Sequence, residues 1–148
     1  MTCRILVLVP LCLAIVLTAE TARGGDKKEQ EKFEGTWSLV KVEGGKPSKD
    51  KEPDAKITFK GDKVTSKNKF DKTDAATYSV DPTKKPKELN VHIEKDGKKV
   101  TMKGIYELDG DTLKICHFHP DEKAIDGRPK ELVANEDTVL AVLKREKK

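Results

Sequence analysis

Cysteine is scarce in this chain: there are three in 148 residues, and two of them, Cys3 and Cys12, lie in the apolar N-terminal stretch. If that stretch is removed, Cys116 remains alone and no internal disulfide can form. Small exported folds often depend on disulfides, so this one must be held together by its hydrophobic core. A domain of about 125 residues buries roughly two thirds of its unfolded surface, which is sufficient.

Aromatic residues and segregated charge are also in short supply. Phe, Trp and Tyr together make up 5% of the residues, and the 30 basic and 26 acidic side chains are interleaved along the chain. Nucleic-acid-binding proteins cluster their positive charge and often place aromatic side chains within it. The sequence therefore predicts a solvated surface and no nucleic-acid partner, despite a formal net charge of +4.

Motifs for catalysis are missing as well. No serine stands in a nucleophile-elbow pattern, and no glycine-rich loop is placed to cradle a phosphate. The many carboxylates fall in turns or alternate away from the apolar residues, where they serve solubility. We therefore expect a protein that is not an enzyme and that needs no cofactor.

Only one long hydrophobic run is present, Ile5–Leu17, which follows a short basic start. It is short for a membrane-spanning helix, which needs about 20 apolar residues, and its flanks are typical of a secretory signal peptide. We predict a signal at residues 1–22, cleaved near Ala19 or Ala22, and a single domain at 26–148. The domain is then periplasmic or extracellular and not stably inserted in a membrane. An uncleaved N-terminal anchor is the alternative.

The clearest structural signal is the stretch 98–118, in which two runs of alternating apolar and polar residues flank Asp109–Gly110. Alternation gives each strand one face for a core and one for water. Asp-Gly accepts the positive φ angles of tight hairpin turns, so we predict an antiparallel hairpin. Its inward side chains are expected to be Val100, Met102, Tyr106, Leu108, Leu113 and Ile115.

Similar short runs follow one another along the rest of the chain at spacings of roughly ten residues, which favours an all-β sandwich or a closed antiparallel barrel. Sequential hairpins favour an up-and-down barrel of about eight strands. The last run is apolar on both faces and needs cover on both, for which we expect the N-terminal helix. The other predicted elements are a helix at Asp26–Glu34 and strands at Thr36–Glu43, Ala55–Lys60, Lys63–Ser66, Thr77–Val80, Leu89–Ile93, Leu132–Val133 and Thr138–Lys144.

The two ends of the domain resemble those of lipocalins. Gly35 and Trp37 open the first predicted strand, and Lys144 and Arg145 end the last. In lipocalins a Gly-x-Trp occupies the first position and a basic side chain from the final strand stacks over the tryptophan. A cation over an indole face contributes roughly 1 kcal/mol. The resemblance implies a lipocalin-like barrel in which Gly35, Trp37 and either Arg145 or Lys144 have structural roles.

A closer resemblance covers nearly the whole domain, Phe33–Arg145. Its four blocks are similar to an uncharacterised lipocalin-like domain of small exported proteins that is multiplied in planctomycete-type bacteria. The resemblance implies the fold and the export, and it implies no catalytic residue because the function of that family is not established. The blocks, in order, are GTWSL at 35–39, GIYELDGDTLKIC at 104–116, GRP at 127–129 and VLAVLKR at 139–145.

His117 and His119 are the strongest candidates for a chemical site in the sequence. Alternation places both imidazoles on the core-facing side of one strand, where they could share a metal, but a zinc or iron site needs at least one more ligand. Asp121 or Glu122 could supply it, whereas His92 should face water. The alternatives are two solvated histidines without a metal role and a pH-sensitive mouth, since histidine titrates near neutrality. We expect no bound metal and keep this pair as the only candidate.

Three functions remain open from the sequence. A small apolar ligand could bind inside the barrel, against the interior candidates Tyr78, Met102 and Tyr106. Alternatively, large inward side chains fill the interior and the domain acts through its surface on an envelope protein. A metal-binding protein is the third. Cys116 is expected to be a small buried apolar residue, and the sequence sets neither the ligand nor the oligomeric state.

Overall fold

The computed structural model describes residues 21–45, 55–67, 73–118 and 127–147. Within these ranges one helix precedes eight antiparallel strands, each paired with the next in chain order, and the last pairs with the first to close a barrel. The predicted all-β, up-and-down barrel with an N-terminal helix is confirmed. The elements are α1 (Thr21–Phe33), β1 (Gly35–Gly44), β2 (Lys56–Lys60), β3 (Lys63–Lys67), β4 (Thr73–Asp81), β5 (Lys87–Lys95), β6 (Lys98–Asp109), β7 (Thr112–Phe118) and β8 (Thr138–Arg145).

Tight turns join the strands where the Asp-Gly pairs predict them. Asp96 and Gly97 link β5 to β6 with φ angles of 54° and 73°, and Gly110, at 55°, turns the chain from β6 into β7. In the second of these hairpins Tyr106 lies opposite Ile115. Residues directly opposite each other share a face, so the inward set continues across the hairpin as the alternation predicts.

An irregularity in β1 explains why its apolar residues do not alternate. Leu39 pairs with Leu143 and Val42 with Ala141, but the register shifts just after Leu39. A spacing of three residues would put Leu39 and Val42 on opposite faces of a regular strand. The bulge brings both to the interior side, and Val40, beside the irregularity, is left 44% exposed.

The largest differences from the predicted elements concern the helix, β4 and Leu132–Val133. The helix begins at Thr21 rather than Asp26, and β4 spans Thr73–Asp81 where only Thr77–Val80 was expected. No strand forms at Leu132–Val133, which lies in an irregular segment. The pairing of β7 with β8 and of β8 with β1 leaves no free edge among the described strands to which a further strand could add.

The predicted role of the helix as cover for β8 is wrong, because α1 packs over one end of the barrel, beside β4. Its Phe33 is fully buried among the interior side chains. The outer face of the β7–β8 pair is contacted instead by the irregular segment 127–137. There the Cys116 thiol lies 3.6 Å from the carbonyl oxygen of Val133, and Cys116 pairs with Leu140 of β8.

Among the described residues, no helix combines the length and the apolar character that crossing a membrane would require. Residues 1–20, which hold most of the predicted signal, lie outside the described part of the chain, as do His119, Asp121 and Glu122.

Candidate functional site

The interior of the barrel is filled at one end and hollow at the other. At the end covered by α1, called the closed end below, four rings form an aromatic plug: Phe33, Phe59, Tyr78 and Tyr106. The centroid of the Phe33 ring lies 5.4, 5.8 and 5.0 Å from those of Phe59, Tyr78 and Tyr106. Edge-on and tilted packing of this kind stabilises beyond the buried area alone.

Beyond the plug lies a cavity of about 670 Å³, called the barrel cavity below. Its volume falls within the range of about 300–1,000 Å³ that is typical of ligand sites. Exposed Asp74, Ile93 and Glu94 belong to its lining, so its mouth lies near the start of β4 and the end of β5. Buried Phe59, one of the four rings of the plug, is part of its floor.

Small side chains in the open half create this space. On β4, Ala76 lines the cavity, and Tyr78, two residues later on the same face, belongs to the plug. Ala141 of β8 also lines the cavity, opposite Ile115. The alternative of a filled interior therefore holds for the closed half only.

The walls of the barrel cavity are mainly apolar, with a few polar residues. The apolar contributors come from seven strands, β2 to β8: Ile57, Phe59, Val64, Leu89, Val91, Ile93, Met102, Ile115 and Leu143, with Ala75, Ala76 and Ala141 as the small ones. The polar contributors are Ser66, Asp74, Glu94 and His117. An apolar wall with few polar groups suits a ligand that is mostly hydrocarbon.

The three interior candidates from the sequence divide between the two halves. Met102 lines the barrel cavity, whereas Tyr78 and Tyr106 are each 2% exposed and lie in the plug. The Tyr106 hydroxyl donates a hydrogen bond to Glu29 Oε1 at 3.1 Å. Burial raises the pKa of Tyr78 to about 12, with further contributions from nearby Glu34 and Asp62. The two tyrosines therefore close the barrel and do not contact the cavity.

His117 lies on the wall of the barrel cavity and is half-buried. Its Nδ1 is 2.7 Å from the carbonyl oxygen of Phe118, and a carbonyl only accepts, so this nitrogen carries the proton and donates. No group of three His, Cys, Asp or Glu side chains suited to a metal occurs among the described residues. The other member of the proposed pair, His119, is outside them. His92 is exposed, as predicted, with Nδ1 2.9 Å from Thr101 Oγ1.

Trp37 and Arg145 meet at the closed end. The guanidinium carbon of Arg145 lies 4.2 Å from the centroid of the fully buried Trp37 ring. The indole Nε1 donates to the Phe33 carbonyl at 2.7 Å, and Arg145 donates to the carbonyls of Lys32, at 2.6 Å, and of Glu34. The pair thus ties the end of α1 to both β1 and β8.

Gly35 makes room for this arrangement. Its φ of 124° lies in the region that side-chain-bearing residues avoid. A Cβ added there would also come within 3.3 Å of Arg145 Nη1. The turn from α1 into β1 therefore needs a glycine for the backbone conformation and for the close approach of the guanidinium.

Glu29 is the polar residue that the sequence interpretation missed. Its side chain is 6% exposed and receives Lys32 and Lys87, each with Nζ 2.7 Å away, as well as the Tyr106 hydroxyl. Burial raises the pKa of this carboxyl, but the hydrogen bonds from Lys32, Lys87 and Tyr106 and the charge of Lys87 outweigh burial and lower it to about 2. Glu29 precedes Phe33 by one helical turn, which places both on one face, and this spacing is the signal that could have identified it.

The outer wall carries a second, smaller buried region under the segment 127–137. Ile105 and Cys116 face each other on β6 and β7 and are both fully buried, so the predicted burial of Cys116 is confirmed. Burial raises the pKa of this thiol. Arg128 fastens the segment to the barrel by donating to Asn90 Oδ1 at 2.7 Å and to the Leu89 carbonyl at 3.2 Å.

These features define a class of protein. An eight-stranded up-and-down barrel, a helix over its closed end, and a tryptophan stacked under an arginine of the last strand describe a small lipocalin-like barrel. A scan against protein-family models, a search of curated proteins and a search of solved structures each found no match for the chain. Membership of the planctomycete-type family therefore stays a prediction.

Proposed function

We propose that this protein is an exported, non-enzymatic barrel that binds a small apolar molecule in the barrel cavity. The observation that carries the proposal is the cavity itself, about 670 Å³ with predominantly apolar walls and a mouth at the end opposite the helix. Hollow apolar clefts with few polar groups are the usual form of small-molecule sites.

The plug supports this proposal because it makes the closed half rigid without occupying the open half. Phe33, Phe59, Tyr78 and Tyr106 are each at most 3% exposed, and tightly packed aromatic rings deform little. The cavity is therefore bounded by a fixed floor and by strands that are paired around the full circle. A preformed site of this kind loses little conformational entropy when a ligand binds.

The alternative of a wholly filled barrel that acts only through its surface has less support. It requires large inward side chains throughout, whereas two of the residues that line the cavity, Ala76 of β4 and Ala141 of β8, are small. Binding to an envelope protein is a separate proposal, because a ligand in the cavity neither requires nor excludes such a partner.

A neutral apolar dye tests the proposal. N-phenyl-1-naphthylamine is expected to bind the purified chain at one site per molecule, with enhanced fluorescence. Ala141→Phe places a ring in the cavity and should abolish that enhancement. Val142→Phe, one residue further along β8 and pointing the opposite way, is the matched control and should leave it unchanged.

Circular dichroism and the emission of the buried Trp37 verify that each variant is folded. Equal dye binding by both variants and the parent chain would place the dye outside the cavity and contradict the proposed function. An absence of dye binding by the folded parent chain would contradict it as well.

A further inference from the structure

The ladder between β4 and β5 stops before either strand does. Its last pair towards the mouth of the barrel cavity is Thr77 with His92. Beyond that pair, residues 73–76 of β4 remain paired with β3 and residues 93–95 of β5 with β6, but these two described stretches form no ladder with each other. The two strands therefore separate towards the mouth and leave a slit in the wall, called the β4–β5 fork below.

Ile93 lies at this fork without cover. It follows Val91 by two residues on β5, so both lie on the inward side of the strand, and Val91 is paired with buried Tyr78. Ile93 is nevertheless 38% exposed. If the ladder continued, the residue opposite Ile93 would be Ala76, whose side chain is a single methyl group. The fork thus leaves an inward apolar side chain open to solvent.

The fork joins the barrel cavity to a groove of about 690 Å³ on the outer face of the same strands, called the outer groove below. Four residues line both spaces: Ala75, Ala76, Ile93 and Glu94. Neighbouring residues of a strand point to opposite faces, so in an intact wall each of these residues would line one space alone. They line both because the wall is open between them.

The two connected spaces differ in polarity. The barrel cavity has mainly apolar walls, whereas the outer groove beyond the shared residues is polar. Its side chains there are Lys63, Thr65, Thr77, His92, Lys99 and Thr101. A molecule that passes through the fork therefore meets hydrocarbon on the inner side and hydrogen-bonding groups on the outer side.

We propose that the β4–β5 fork is a passage through the barrel wall and that the ligand is a long-chain amphiphile, with its chain in the barrel cavity and its polar head in the outer groove. This rests on the proposed function, since it adds a head group to the apolar molecule in the same cavity. The chain gains from burial against apolar walls. The head keeps hydrogen bonds that it would lose inside the barrel.

Ala75→Phe tests the passage. Ala75 is exposed and alternates outward from Ala76 and Tyr78, so a ring at this position fills the fork from outside and leaves the barrel cavity in place. Ser79→Phe is the matched control. Ser79 lies on the same outer face of β4, opposite Asn90 where the ladder is intact, and it lines neither space. Circular dichroism and Trp37 emission verify that both variants are folded.

Two probes should respond differently to Ala75→Phe. N-phenyl-1-naphthylamine is compact and can lie wholly in the barrel cavity, so the ring alters its passage but neither the free nor the bound state. Stopped-flow fluorescence should show its association and dissociation slowed alike, by about tenfold, with an unchanged Kd. Ser79→Phe should leave both rates as in the parent chain.

Dodecyl maltoside, below the concentration at which it forms micelles, is the probe with a head group. Its disaccharide is strongly hydrated and costly to bury between apolar walls, so its chain has to cross the wall when it binds. It should displace the dye from the parent chain. In Ala75→Phe its affinity should fall by about tenfold, because the ring takes the place of the chain in the fork. Ser79→Phe should displace like the parent.

The possible failures are distinct. Dye rates that Ala75→Phe leaves unchanged, or that Ser79→Phe slows equally, would overturn the fork as the passage and leave the apolar cavity standing. Unchanged affinity of Ala75→Phe for dodecyl maltoside, or no displacement of the dye from the parent chain, would overturn the placement of a head in the outer groove. Failure of the dye itself to bind the parent chain would overturn the proposed function together with this inference.

Discussion

The ion cluster around Glu29 makes the stability of the barrel depend on acid pH in a calculable way. Its carboxylate is bound by Lys32, Lys87 and Tyr106 where α1 meets the closed end. In the folded protein its pKa is about 2, against an ordinary value of 4.5. A group with a depressed folded pKa contributes stability above its unfolded pKa and loses it as the pH falls towards the folded one. The loss should therefore run from about pH 4.5 down to about pH 2.

The size of the effect follows from the shift of this one pKa. Each pKa unit corresponds to about 1.4 kcal/mol, so the charged Glu29 stabilises the fold at neutral pH by about 3 kcal/mol. Glu29→Gln mimics the protonated acid and should remove that amount. The two lysine side chains are 61% and 41% exposed, so water can solvate them once the carboxylate is gone and little further cost arises.

Urea denaturation at a series of pH values measures this directly, with the emission of Trp37 as the probe. We expect Glu29→Gln to be less stable than the parent by about 3 kcal/mol at pH 7, and the difference to shrink to less than about 0.5 kcal/mol at pH 2. Other carboxylates titrate in both proteins and cancel in the difference. Glu31→Gln, an exposed position on the same helix, should match the parent throughout. A difference that does not change between pH 7 and pH 2 would refute the assignment.

Three further predictions concern the plug, the wall and the N-terminal stretch. Tyr106→Phe should lower the free energy of unfolding by about 1.5–2 kcal/mol, because its hydroxyl bonds a charged group. Tyr78→Phe should leave stability unchanged or raise it, because the Tyr78 hydroxyl has no hydrogen-bond partner among the described residues. Urea melts in which both tyrosine variants lose the same amount of stability would contradict this contrast. Gly104→Ala brings a Cβ to 2.9 Å from the Cys116 carbonyl oxygen and should lower the free energy of unfolding by about 1–3 kcal/mol by overpacking. A urea melt that coincides with that of the parent would contradict this. Intact mass of the chain recovered from the periplasm or medium of an exporting host should show loss of residues 1–19 or 1–22, and a full-length mass would instead favour the uncleaved anchor.

Local pattern was sufficient for much of the fold. Alternation in 98–118 and the Asp-Gly pairs led to the correct hairpins, because a turn and the faces of its flanking strands depend on neighbouring residues alone. The same alternation placed His117 and Met102 inward and His92 outward, where they lie. The bulge after Leu39 could not be foreseen, since it depends on which residues of β8 lie opposite.

The candidate site was harder to predict from the sequence, because the cavity exists where inward positions carry small side chains. Large inward residues indicated a filled interior, but the decisive positions are Ala76 and Ala141, which lie on separate strands and whose effects combine only in the closed barrel. A list of inward side chains carries no information on how high along the barrel axis each one lies. That height separates the plug from the cavity.

The sequence by itself determined the sequential hairpins, the tight turns, the inward and outward faces of the regular strands and the dependence on a core without disulfides, because these follow from local chemistry and composition. Only the tertiary structure decided that Tyr78 and Tyr106 plug one end, that Glu29 is held by Lys32 and Lys87, and that a cavity remains beside Met102. Each of these depends on residues far apart in the chain, and their distances are set only when the eighth strand closes on the first.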